Sequence, residues 1–236
     1  MKLSIPDTLT FNGGYVDTAG FLALQGLFTA HVTGNFVTLG ASLANGSSGV
    51  LNKLLALPVF CVVVLLVRLA SVRPLLSETT TLNALIGVKV CLLAVAAGLA
   101  AWFGPFRNAD SVSGIATGMT LVAGMAVQNA IHRVFFPKSP PTTLMTGSTT
   151  QIMMHIGELL RGELSPEVRS ATWTRCTALA RTVCIFALGC GASALIYARV
   201  GTSVLLAPPV ISALAFLPSL RRSREPPATP AVLPRA

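Results

Sequence analysis

From Leu54 to Val67 the chain reads LLALPVFCVVVLLV, 14 residues without a charge. With its flanks, about 51–69, this run is long enough to cross a bilayer, whose ~30 Å hydrocarbon core takes about 20 helical residues. A backbone in hydrocarbon must satisfy its own hydrogen bonds, so such a run becomes a helix. Similar apolar stretches occupy about 13–32, 82–103, 112–131, 182–198 and 202–217, the last interrupted by Pro208-Pro209. Only 11% of the 236 residues are charged, where a soluble domain carries about 25%. Mean hydropathy is +0.71. The fold expected is an all-α integral membrane domain of about six transmembrane helices.

Two of these segments are polar and broken. The first is Gly13 to Gly40, GGYVDTAGFLALQGLFTAHVTGNFVTLG. As a single helix, 13–44 would be roughly 48 Å long, well over the hydrocarbon thickness, and a break at Thr33-Gly34-Asn35 removes the excess. The second is Gly124 to Ile156, where Gln128-Asn129 precede Thr146-Gly147-Ser148. Pro137, Pro140 and Pro141 forbid a continuous helix between them. Interrupted hydrophobic segments in corresponding halves of a chain are the sequence mark of a transport-type binding site. Three spans per half reverse the second copy, giving two inverted three-helix repeats, each with a half-length helix at a Thr-Gly turn. The organisation expected is a polar lead over 1–12, a first repeat over 13–103, a central loop over 104–111, a second repeat over 112–217, and a Pro/Arg-rich tail over 218–236 that reads as disordered.

The residues that can carry chemistry follow from the bilayer as solvent. Asp17 is the one acid well inside an apolar segment. An ionised carboxylate in hydrocarbon costs about 2.5–3.5 kcal/mol on insertion scales and needs a partner, a proton or water. It reads either as a proton- or cation-coupling site or as a cap at the start of its helix. Lys89 lies about seven residues into the third span; it either snorkels to the headgroups or neutralises Asp17. Asn35 and Ser148 are good N-cap residues, and Ser148-Thr149-Thr150-Gln151 fits a capping box. Each turn would then start a short helix whose amides face a polar or anionic group, with Thr33, Gly34, Asn35, Thr146, Gly147 and Ser148 around it. Gln25, Gln128, Asn129 and Gln151 would orient that ligand, or bond helix to helix. His31, His132 and His155 are further proton carriers by type, although an interfacial or core role suits each of them. Gly114 and Gly118 form a GxxxG that permits close helix contact.

Net charge is +9, but the Lys and Arg fall between apolar runs and in the tail, without the interleaved aromatics that base stacking needs. Under six crossings, one side holds Lys2, Arg68, Arg73, Arg161, Arg169, Arg175, Arg181, Arg221, Arg222, Arg224 and Arg235, the other Lys53, Arg107 and Arg199. That bias puts both termini in the cytoplasm and the chain in the cytoplasmic (inner) membrane. The five cysteines lie mostly in apolar runs without a CxxC and read as buried small hydrophobes. The sequence contains no metal-site, nucleotide or hydrolase motif, so neither enzyme chemistry, cofactor nor metal is expected. The expected partners are the lipid bilayer and an unidentified small polar or anionic substrate, with no nucleic acid; a homo-oligomer stays open.

With GGYVDTAGFLALQGLFTAHVTGNFVTLGASL near the start and AGMAVQNAIHR…TTLMTGSTTQ in the second half, the chain resembles the YoaK family over about residues 10–218. These are uncharacterised, mostly bacterial integral membrane proteins. The resemblance implies a multi-pass membrane protein and no particular activity. On the residues themselves the expectation is a small secondary transporter or permease, with its site between the two repeats. The alternative is a membrane scaffold or assembly factor in which the same polar residues only pack helices.

Overall fold

A computed structural model describes residues 4–72, 77–143 and 145–216. The tail at 218–236, Lys2 and Arg73 lie outside the described residues. All regular structure within them is helical.

Helix α1 (Ile5–Ala23) starts earlier than the apolar pattern indicates. Ser4 and Asp7 form a reciprocal capping box: the Asp7 amide donates to Ser4 Oγ at 3.2 Å and the Ser4 amide to Asp7 at 3.4 Å. Pro6 in the first turn has no amide to leave unpaired. The stretch expected as a polar lead is therefore helix. Asp17 sits twelve residues into α1, about 18 Å from its start, so the reading of Asp17 as an N-terminal cap is overturned.

α1 ends at Leu24, where Gln25 (φ 52°) and Gly26 (φ 88°) turn the chain into the left-handed region. A non-helical stretch follows to His31, then a 3-10 turn at Val32–Gly34 and the short α2 (Asn35–Asn45). The interruption thus covers residues 24–34, not the Thr-Gly turn alone. Next come α3 (Val50–Val72), α4 (Glu78–Phe103), α5 (Val112–Phe135), α6 (Met145–Arg161) and α7 (Pro166–Val200). A 3-10 stretch, Gly201–Leu206, leads into α8 (Ala207–Ala213). Ser77, Ser111 and Ser165 cap α4, α5 and α7 by accepting an amide of the first turn. Pro208 lies in the first turn of α8, where proline fits, so the last segment is broken by 3-10 geometry upstream of its prolines.

Among the described residues, Val50–Ser71, Glu78–Phe103, Val112–Phe135 and Pro166–Ala213 are long and apolar enough to cross a membrane. Large apolar side chains cover the outside as well as the core, and several polar groups are buried. Leu54, Leu65, Leu66 and Leu69 on α3, and Leu188 and Leu195 on α7, face outward, while Asn12, Asp17, Asn52, Lys89 and Gln128 are inside. An apolar outer surface with polar groups sheltered inside is what a lipid solvent selects. Three of the five cysteines, Cys61, Cys91 and Cys184, are exposed on that outer surface, where burial was expected; all five are free. The protein is a multi-pass membrane protein.

Small residues bring the helices together. A methyl group added to Gly14 would run into the Phe186 carbonyl, and one added to Gly189 into the Phe11 carbonyl, so α1 and α7 meet backbone to backbone. They run in the same direction: Arg181 pairs with Asp7 at 2.7 Å near one end, and the Tyr197 hydroxyl donates to the Leu22 carbonyl at 3.1 Å near the other. Of the GxxxG pair, Gly118 lies against Asn52 of α3, whereas Gly114 lies against Ala109 in its own approach loop.

At the far end of α1, Gln25 donates to the Arg107 carbonyl at 2.9 Å and accepts from the Ser48 hydroxyl. There too the Asp110 carboxylate accepts the amides of Gly49 (2.8 Å), Val50 (3.0 Å) and Asn52 (3.1 Å), capping α3 from the loop between α4 and α5. The end where α1 finishes is thus also where α3 begins, α4 finishes and α5 begins. It is called the Asp110 end below, and the opposite one the Asp7 end. Residues 24–45 leave the Asp110 end, reach inward as far as Asp17, and return to it.

Candidate functional site

The inward turn is held by one carboxylate. Asp17 Oδ1 accepts from the Thr29 amide at 2.7 Å, the Ala30 amide at 2.8 Å and the Thr29 hydroxyl at 3.2 Å. Its other oxygen, Oδ2, lies 2.5 Å from His31 Nδ1. The loop therefore stays out of helical geometry because a side chain on α1 takes the amides that a helix would have used. Asn35 closes the same loop from the other side. Its Oδ1 accepts the Phe28 amide and its Nδ2 donates to the Phe28 carbonyl, both at 2.8 Å.

This corner opens into a cavity of about 640 Å³. Asp17 and His31 line it together with Thr33, Gly34, Phe186 and Thr146. The side chain of His31 is 30% exposed and that of Asp17 6%, so the histidine is the member of the pair that solvent reaches. The His31 ring stands edge-on to Phe28 and Phe186, with centroids 6.3 and 5.6 Å away. Residues of the two Thr-Gly motifs, 113 positions apart in the chain, thus line one cavity: Thr33 and Gly34 precede α2, and Thr146 lies in the first turn of α6. The start of each short helix faces the cavity region, and no side chain caps the α2 amides.

A second corner repeats the first with amides in place of the carboxylate. On α5, Gln128 Nε2 donates to Thr142 Oγ1 at 3.4 Å, and Asn129 Oδ1 accepts the Thr143 hydroxyl at 2.9 Å. This folds residues 136–143 back along the C-terminal turns of α5. In sequence, Val16-Asp17-Thr18-Ala19 and Val127-Gln128-Asn129-Ala130 occupy equivalent places, each followed by the residues it holds and then by Thr-Gly.

A model of the family described as "Protein of unknown function (DUF1275)" matches residues 8–217. The chain belongs to the DUF1275 family. No curated protein and no solved structure matches it. The resemblance drawn from the motifs is thereby supported as membership of an uncharacterised family; the YoaK name itself is carried by no relative.

Within this DUF1275 chain the remaining sequence-selected residues lie in four places. Lys89 is fully buried and donates to Gln128 Oε1 at 2.6 Å, so its partner is an amide on α5, not Asp17. Gln128 also donates to the Leu9 carbonyl at 2.8 Å, which uses both ends of its amide. Gln25 is an exposed tie between loops at the Asp110 end. Gln151 is exposed on α6, on a groove shared with α7. Gly147 is exposed and Ser148 buried, both inside α6. The capping roles expected of Asn35 and Ser148 are not formed, because Gly34 holds the cap position of α2 and α6 has already begun at Met145. Among the described residues no group of three or more His, Cys, Asp or Glu is placed to hold a metal ion.

The residue that sequence reasoning undervalued is His31. The signal was present: a titratable ring fourteen positions after a membrane-embedded acid and two before a Thr-Gly turn. Phe186 and Cys190, which complete the cavity from α7, left no signal, since nothing in an apolar run marks the turn of a helix that will face a polar site.

Proposed function

We propose that this DUF1275 protein is a small secondary transporter of the inner membrane whose substrate site is the Asp17–His31 cavity. The observation that carries the reading is that Thr33 and Gly34 from one half and Thr146 from the other line one cavity with that pair. The reading takes six crossings, α1, α3, α4, α5, α7 and the 3-10/α8 segment, with 24–45 entering from the Asp110 end and α6 from the Asp7 end; the long apolar helices α3, α4, α5 and α7 support it. The halves would then be inverted repeats. The packing is consistent with this, since α1 lies along α7 as α5 lies along α3. The charge bias puts the Asp7 end in the cytoplasm.

In this reading the substrate is small and polar or anionic, held by hydroxyls and by helix-start amides near Thr33, Gly34 and Thr146. Asp17 and His31 couple its movement to a proton. Protonating Asp17 weakens the bonds by which its carboxylate holds the Thr29 and Ala30 amides of the inward loop, which gives transport a moving part. Gln128 occupies the matching place in the other repeat, where Lys89 of the first repeat donates to it. No bond in the substrate is made or broken.

The test is thermal unfolding of the detergent-purified protein against anions, amino acids, sugars and aromatic acids, for wild type and Asp17→Asn. A ligand at 100 times its Kd stabilises by about 2.7 kcal/mol. A shift seen in wild type and lost in Asp17→Asn supports the site. Ligand binding that Asp17→Asn leaves untouched overturns it and favours a scaffold role for these residues.

A further inference from the structure

A second concave site lies at the Asp7 end, where the proline-rich loop 136–143, α6 and the first turns of α7 enclose a groove of about 830 Å³. Arg133 at the end of α5, Lys138 in the loop and Arg175 on α7 line it, with His132 and Gln151 beside them. No acidic residue lines the groove. Among the described residues Arg133, Lys138 and Arg175 have no carboxylate within ion-pair distance, whereas Arg161 and Arg181 are paired with Glu163 and Asp7. Three cations drawn from three separate elements toward one concavity repel one another unless an anion joins them.

We infer that this groove binds a phosphate group. Two guanidinium groups offer flat forks of donors that match phosphate oxygens, and the lysine adds a point charge. The loop contributes little backbone: Pro137, Pro140 and Pro141 have no amide hydrogen, and the Ser139 carbonyl is met by His132 Nε2 at 3.2 Å. Binding therefore falls to the cationic side chains. The prolines restrict the loop backbone around Lys138, so little loop ordering is needed on binding.

The level of the groove points to where the phosphate comes from. Arg175 lies six residues before Arg181, whose partner Asp7 marks the start of α1, so it stands about 9 Å further out along α7. Trp173, 61% exposed on the same helix turn, is the residue expected at a membrane–water boundary. That is headgroup depth, and basic pockets there take anionic phospholipids. A soluble phosphate would satisfy the same side chains. The inference does not depend on the transport reading, because none of these residues lines the Asp17–His31 cavity.

The test uses the full-length protein, delipidated in neutral detergent, with phosphatidylglycerol, phosphatidylcholine and inorganic phosphate as probes. Binding is read by native mass spectrometry and by the unfolding temperature. Phosphatidylglycerol should bind and stabilise, and phosphatidylcholine should do neither. Arg133→Gln and Arg175→Gln should each weaken phosphatidylglycerol at least about tenfold, while Arg169→Gln, an exposed arginine of α7 outside the groove, should not. A response to inorganic phosphate alone, lost in the same two variants, keeps the site and makes its ligand soluble. Equal binding of the two lipids by wild type with no response to phosphate overturns the inference, even where a variant fails to fold. So does phosphatidylglycerol binding that survives Arg133→Gln/Arg175→Gln.

Discussion

The two oxygens of Asp17 have separate duties. Oδ1 takes the amides of Thr29 and Ala30 and the Thr29 hydroxyl; Oδ2 faces only His31. Substitution can therefore part structure from charge. Asp17→Asn keeps the Oδ1 acceptor and should destabilise by about 1.5–3 kcal/mol, the scale of one charged hydrogen bond. Asp17→Ala leaves two buried amides unpaired as well and should cost about 3–5 kcal/mol. Both are read from thermal or denaturant unfolding in detergent, and equal losses would show that Oδ1 holds nothing. A double-mutant cycle with His31→Gln should give a coupling of about 0.5–3 kcal/mol. Asn35 differs in kind. Its amide is fully engaged by the Phe28 backbone, so Asn35→Leu should lose expression and stability, by about 1–3 kcal/mol for each abandoned group, and any molecules that do fold should keep their ligand response. From the sequence, both residues stand out as polar groups in an apolar run. What each one bonds was not legible, because Thr29, Ala30 and Phe28 are reached through a turn that only the folded chain makes.

At the scale of elements, contact between helices is set by glycine. Gly14→Ala and Gly189→Ala each place a methyl group against a carbonyl of the facing helix and should cost about 1–3 kcal/mol. Gly98→Ala on α4 meets nothing within 4 Å and should be neutral or stabilising by up to about 1 kcal/mol. Unfolding temperatures of the three variants check this, and a destabilised Gly98→Ala would contradict it. The apolar runs that became α3, α4, α5 and α7 were legible because hydrocarbon leaves a backbone few alternatives to helix. The start of α1 was not: Ser4, Asp7 and Asn12 look like a solvated lead, yet Ser4 and Asp7 build a cap, and Asn12 is buried with its side chain donating to Ser212 at 2.7 Å. The breaks were misplaced for a related reason. Residues 24–31, LQGLFTAH, are apolar enough to read as helix, and only Gln25-Gly26 signals the turn. Distant side chains, Asp17 and Asn35, keep the rest unwound. In the second half the prolines showed the true break and the Thr-Gly pair drew attention past it.

For the whole molecule the prediction concerns sidedness. In a cysteine-free background, single cysteines at Ser47 and Asn108 should be labelled by an impermeant reagent from one face of the membrane. Cysteines at Lys138 and Glu163 should be labelled from the other face only. Labelling of Ser47 and Glu163 from the same face would mean that one of the inward segments crosses, and the inverted-repeat proposal would fail. The all-helical, multi-pass character was legible because long apolar stretches are set by composition. That Thr33 and Thr146 line one cavity was not, because no local pattern encodes which segments of opposite halves will border the same space.

The cap on α3 also says something about birth order. The amides of Gly49, Val50 and Asn52 are met by Asp110, 61 positions downstream of Gly49. At about 5–20 residues per second of synthesis, α3 waits roughly 3–12 s after leaving the ribosome before its cap exists, with α4 made in between. During that interval the newborn helix start has only water or the insertion machinery to satisfy it. Asp110→Asn would thus be felt first in the yield of inserted protein, and only afterwards in the stability of the molecules that complete the fold.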